Sequence, residues 1–232
     1  MRPRQTILLG LLLLVPVLAF LFLYGFGRNH YALPTYLPER VDSVRTSVGG
    51  WQRDTVFHRV RPFRLRGLGR RFVSAAELGQ GMYVVQFLGS GGKDAEVTRY
   101  LARLQEKFRR EPRLRLATLT ASLPNATEAQ TTAVLEKLSE QYGTIAGKWY
   151  FLAAPADTLA QLAKQEFGAT ALQPAHMPFQ PATEPGNLAI GRMLLVDRDQ
   201  HVRGYYDGTD IHEIERLITE INVLLYTYEH GH

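Results

Sequence analysis

From Met82 onward the chain alternates between two hydrophobic periods, and this alternation narrows the available folds more than any other feature. Continuous apolar runs rich in β-formers occur at residues 82–88, 114–119, 148–154 and 193–197. Stripes at helical spacing lie between them. Val97, Leu101, Leu104 and Phe108 fall at i, i+4, i+7 and i+11, and Pro112 ends that stripe. Val134, Leu138 and Tyr142 give residues 127–142 one apolar face, with Gly143 as the stop. Pro155 suits the first turn of a further helix reaching Phe167. Residues 202–206 return on 193–197 as a hairpin. The last helix carries Ile211, Ile214, Leu217, Ile218, Ile221 and Leu225 on one stripe. Asp210 is its expected N-cap, and Glu213 stands where a capping box needs it.

Upstream, Phe63 and Leu65 alternate with arginines, so residues 56–75 read as an extended hairpin turning at Gly-Leu-Gly-Arg-Arg. Arg59, Arg61, Arg64, Arg66, Arg70 and Arg71 make this stretch basic. A solvated strand face accounts for them, and an anionic partner is the alternative. The full order is hairpin, three strand–helix units, hairpin, helix. It implies an α/β layered domain with a mostly parallel core and antiparallel edges. That order fits a thioredoxin-like fold.

Residues 7–26 contain no charge. About 20 residues at ~1.5 Å rise span a ~30 Å hydrocarbon core. Pro16 inside the run is tolerable in a membrane helix. Arg2 and Arg4 precede it, and Tyr24 and Tyr31 lie near the far interface. This pattern predicts one transmembrane signal anchor with residues 1–6 in the cytoplasm. A cleaved signal peptide needs a shorter apolar region and a small-x-small site, and Phe-Leu-Tyr-Gly-Phe-Gly-Arg supplies no good one. Residues 27–50, with Pro34, Pro38 and Gly49-Gly50, read as a juxtamembrane linker, and residues 51–232 as the globular domain. The expected location is the inner membrane, single-pass, with the C-terminal domain periplasmic. The net charge of +5 is a mild excess that does not argue for nucleic acid, and the anchor puts the basic patch outside the cytoplasm. There is no cysteine in 232 residues, which removes disulfides, thiolate metal sites and thiol catalysis together.

The sequence VVQFLGSGGKDAEV, residues 84–97, places a glycine-rich turn between a strand and a helix. A Walker A loop with Gly92-Lys93 as its GK pair needs glycine at Phe87 and a hydroxyl at Asp94. The dinucleotide pattern starting at Gly89 needs glycine at Asp94. Both patterns fail, so no nucleotide is expected here.

Several segments resemble the Sco (SenC) family of membrane-anchored, thioredoxin-fold copper proteins that assist cytochrome c oxidase assembly. They are NHYALPTYLPERVDS after the anchor, YLARLQEKF, GKWYFLAA, and LLVDRDQHVRGYYDGTDIHEIERLITEINVLL. The last segment and GKWYFL are the most specific. The resemblance implies a copper site of two cysteines at the strand-to-helix turn and one histidine before a later strand. In this sequence those positions fall near Ser90, Asp94 and Ala189. All three ligands are missing, and the family's acidic Asp-Pro segment is unrecognisable in TLTASLPNATEA. Cu(I) prefers thiolate or thioether donors, which serine and an isolated carboxylate do not replace. Thiol–disulfide exchange is excluded as well.

Of the seven histidines, His176 adjoins Met177 in a proline-rich stretch and is the one adjacent pair of copper-competent donors. An exposed loop dipeptide explains the pair, and a relocated weak copper site is the alternative. His230 and His232 fit a frayed tail, and His212 a solvated first turn. Asp207, Asp210 and Glu213 lack the spacing of an EF-hand and suit turn and cap roles. Tyr205-Tyr206 and Trp149-Tyr150 read as core and strand-face aromatics. No nucleophile–base pair can be named. The expectation is therefore a non-enzymatic, cofactor-free Sco-like protein, held in the membrane by residues 7–26. It would bind a membrane complex of the respiratory oxidase type as an accessory or structural component. A copper chaperone with substituted ligands is the alternative.

Overall fold

The computed structural model describes residues 12, 14–21, 33–45, 51–88, 94–168 and 192–230. The chain divides into two compact units, Met1–Ala32 and Leu33–His232. In the first, residues 14–21 are helical, and Leu14, Val15, Val17, Leu18 and Leu21 are exposed. Among the described residues no helix is long and apolar enough to cross a membrane. The rest of the span expected at residues 7–26 lies outside the described residues.

The second unit is built on a sheet with the order β4-β3-β7-β6-β5-β8-β9. Its strands are β3 (Arg64–Arg66), β4 (Phe72–Ser74), β5 (Met82–Leu88), β6 (Leu114–Ala121), β7 (Trp149–Ala154), β8 (Arg192–Val196) and β9 (Val202–Asp207). The central strands β5, β6 and β7 run parallel. On either side β3–β4 and β8–β9 add antiparallel edges. The helices are α1 (Ala75–Leu78), α2 (Asp94–Lys107), α3 (Glu128–Tyr142), α4 (Ala156–Gln165) and α5 (Ile211–His230). This is the alternating α/β layout expected from the sequence, and it covers both sheet faces. The side chains of Met82, Val84, Leu116, Phe151 and Leu195 meet Val97, Leu101, Ile221 and Leu224 from α2 and α5. On the opposite face Tyr83, Val85, Leu119 and Leu152 meet Leu78, Leu159 and Leu162 from α1 and α4. The period-2 alternation of each strand therefore loads two cores, and each fully buried large side chain contributes roughly 1.5–3 kcal/mol.

Several local expectations change. The stretch expected as an irregular linker contains β1 (Pro38–Arg45), which pairs antiparallel with β2 (Trp51–Phe57) in a separate two-stranded sheet. Proline at the first position of an edge strand, and a pairing that neither strand's residues reveal alone, made this invisible to a local reading. The hairpin expected over 56–75 is shorter, because only β3 and β4 pair there and Ser74 instead caps α1, accepting from Glu77 N. In α3 the buried face is Thr132 and Leu135. Val134, expected inward, is 40% exposed. In α5 the capping box does not form. Asp210 accepts from His212 N at 2.9 Å, whereas Glu213 turns forward onto Arg216 at 2.6 Å.

The chain between Leu33 and Leu37 is laced onto the β9 edge, with Leu33 packed in one core and Tyr36 and Leu37 in the other. Tyr36 N donates to Val202 O at 2.9 Å. Arg203 reaches Leu33 O at 2.6 Å and Thr35 Oγ1 at 2.9 Å, and the Tyr36 ring stands edge-on to Tyr205. At the base of β5, a Cβ on Gly81 would sit 2.0 Å from Arg113 O, so the approach of these two segments admits only glycine there.

Candidate functional site

The C-terminal end of β5 and the N-terminus of α2 form the corner near which the resemblance places the family's ligand positions. Ser90, Ala189, His176 and Met177 lie outside the described residues. Asp94 is described: it is the first residue of α2 and only 5% exposed. Its carbonyl accepts from Thr98 Oγ1 at 2.6 Å.

Beneath this corner runs a buried polar chain that crosses the sheet. Trp149 Nε1 of β7 donates to Thr118 Oγ1 of β6 at 3.0 Å. Thr118 Oγ1 donates to Gln86 Oε1 of β5 at 3.3 Å. Gln86 Nε2 donates to Thr98 Oγ1 of α2 at 3.0 Å. Gln86, Thr98 and Thr118 are fully buried. Strand parity explains the placement, since Gln86 shares the inward face of Met82 and Val84 under α2. With every member partnered, the chain fixes the start of α2 against three strands. The sequence reading missed this network. Its signal was a glutamine at a core-parity position of an apolar strand, with a threonine one turn into the following helix.

Across the corner, Met193 of β8 stands opposite Gln86 and is 1% exposed. Arg192 opens β8, and burial lowers its pKa from the usual range, against the charges of Asp207 and Glu213. Tyr206 of β9 is buried and donates to Glu220 of α5. Burial, then the Glu220 charge and hydrogen bond, push its phenol well up. Arg216 lies over the Tyr206 ring at 4.3 Å and reaches Glu220 at 3.0 Å. On the other sheet face Phe167 packs on Phe87 and Phe63, and its carbonyl accepts from Tyr205 Oη at 2.8 Å. These contacts seat the chain just before residues 169–191.

Trp149 and Tyr206 are core aromatics, as expected. His212 is exposed, 3.9 Å from Glu215, and His230 packs on Tyr226. Among the described residues no three His, Asp or Glu side chains converge on a point where a metal could sit. The described corner offers a carboxamide, hydroxyls, an indole and a carboxylate, and none of these performs thiol exchange.

No protein-family description matches the sequence, and no curated protein matches it. Solved structures do. The structure of BsSco, a member of the Sco family of cytochrome c oxidase assembly proteins, has a TM-score of 0.54 at 20% identity, over 72% of this chain and 93% of that one. A SCO1/SenC family lipoprotein from Bacillus anthracis gives 0.54 at 15% identity, over 72% and 95%. A protein described as a disulfide isomerase, from Bacteroides thetaiotaomicron, gives 0.52 at 14% identity, over 75% and 92%. The fold is thioredoxin-like. Its structural neighbours are Sco/SenC proteins and related thioredoxin-like disulfide oxidoreductases, while this chain has no cysteine.

Proposed function

We propose that this chain is a Sco-like protein that has lost the copper and thiol chemistry of the fold and works by binding. It is an accessory or structural component beside a membrane complex of the cytochrome c oxidase type, or beside the machinery that assembles it. One observation carries the reading: a thioredoxin-like fold with Sco proteins among its solved neighbours, in a sequence without any cysteine. Disulfide reduction needs thiols and the fold's copper site needs thiolates, so neither is available to the chain alone in that form. The corner is instead tied together by a neutral hydrogen-bonded chain through Gln86 and Thr118. Residues 7–26 supply the membrane attachment, and the domain from Leu33 onward lies on the periplasmic side of the inner membrane. The corner positions near Ser90, Asp94 and Ala189 are then vestiges of a ligand set, with no catalytic role.

Co-purification of the full chain in mild detergent tests this reading. Oxidase or oxidase-assembly subunits should be recovered with it. Recovery as a free monomer counts against the proposal. Titration with Cu(I) against a competing chelator should show affinity no better than that of an unrelated cysteine-free protein. Tighter binding, removed by substituting His176 and Met177, would replace it with the chaperone reading.

A further inference from the structure

The ribbon β1–β2 forms its own sheet, and a two-stranded ribbon is marginally stable alone in water. Its hold on the rest of the unit is concentrated at its base. There Val60 N donates to Gln200 O, between β8 and β9, at 2.9 Å, while His58 N donates to Leu37 O at 2.8 Å and closes the ribbon itself. The His58 ring lies between two carboxylates. Nδ1 is 2.7 Å from Glu39 Oε1 on β1, and Nε2 is 3.3 Å from Glu166 Oε2, just after α4. Glu166 is buried and accepts from Arg61 N and Arg61 Nε, each at 2.8 Å. Burial pushes the Glu166 carboxyl up, but the Arg61 hydrogen bonds and charge, with the His58 charge, outweigh it and leave it below the usual range. Glu39, Arg59 and Arg61 are the charged groups that line the same open cleft of about 620 Å³ with His58.

A neutral imidazole has one N–H and one lone pair, whereas an imidazolium has two N–H donors. Two flanking carboxylates are therefore both satisfied only by the cation. Whichever nitrogen keeps the proton in the neutral ring, the other turns a lone pair toward a carboxylate oxygen, and the bridge opens on that side. We propose that His58 is a proton-operated latch: the bridge Glu39–His58–Glu166 ties the β1–β2 ribbon to the end of α4 when the ring is protonated, and opens when it is neutral. Glu166 keeps its Arg61 partners in both states, so the change falls on the ribbon. Because Phe167 follows Glu166 and packs on Phe87, the latch joins the ribbon to the point where the chain enters residues 169–191.

Hydrogen–deuterium exchange of the full chain in detergent micelles or lipid nanodiscs tests the latch, at about pH 5.5 and about pH 7.5 with correction for intrinsic exchange. Peptides covering residues 38–57 should lose protection about threefold at the higher pH, the size expected of a partly exposed ion pair. In His58→Gln and in Glu39→Gln that pH dependence should vanish. Equal protection at both pH values in the unaltered chain overturns the proposal, and so does a dependence that persists in His58→Gln. If either variant fails to fold, imidazole ¹⁵N shifts of the unaltered chain decide. His58 must pass from two protonated nitrogens to one across the interval in which the ribbon loosens, and a change without that coincidence also overturns the latch.

Discussion

Thr118 makes two hydrogen bonds from one hydroxyl, accepting from the Trp149 indole and donating to Gln86. Thr118→Val keeps the shape and removes both, leaving an indole N–H buried without a partner. Urea unfolding should show a loss of about 1–3 kcal/mol, and Thr118→Ser should recover much of it. The neighbouring residues show what a sequence makes visible at this scale. Trp149 was legible as a buried strand aromatic because its own strand is apolar throughout. Gln86 was not read as a core residue, since only pairing across β5, β6 and β7 brings its partners together. The resemblance puts Asp94 near an expected ligand position, and in the structure it opens α2 with its carbonyl held by Thr98.

Among the elements, α3 and α5 carry the same start signal and resolve it differently. Thr127 accepts from Gln130 N, and the Gln130 side chain returns to Thr127 N, so the α3 box closes. Thr127→Ala should cost about 1 kcal/mol, read as a lower thermal midpoint by circular dichroism. At the start of α5, Arg216 lies one turn on and takes Glu213 in a charge-assisted pair, which outcompetes a single backbone N–H. Spacing predicts that a cap is possible, and the wider charge environment selects the partner. At the other end of α3, Gly143 is the stop its sequence position predicts: its φ of 61° is the left-handed conformation that favours glycine. The ribbon β1–β2 was hidden for a different reason. Its strands have few regular apolar repeats, and their pairing is not a property of either one alone.

At the scale of the molecule, the order of elements was legible because three successive strand–helix units leave few ways to cover both faces of a sheet. Of the candidate corner, the sequence made legible its place at the end of β5 and the start of α2. Stability against pH gives a test of the whole packing. Burial lowers the Lys148 pKa to about 8, against the charge of Glu111. The unfolded chain therefore holds the Lys148 proton more tightly, and stability rises as pH climbs from about 8 toward the ordinary lysine range. Burial raises Tyr83, Tyr205 and Tyr206. Above about pH 10 the unfolded chain loses phenolic protons that the native state keeps, and stability falls. Denaturation midpoints should thus pass through a maximum on the alkaline side of neutrality. In Lys148→Met the rising limb should be lost while the fall above about pH 10 remains.

The lacing of residues 33–37 onto β9 also sets how the domain carries mechanical load. A pull on the chain before Leu33 meets Arg203, its hold on the Leu33 carbonyl, and the Tyr36–Val202 hydrogen bond. These contacts take up the force before it reaches Pro38. The ribbon beyond Pro38 is thereby shielded from a load applied to the segment at Leu33.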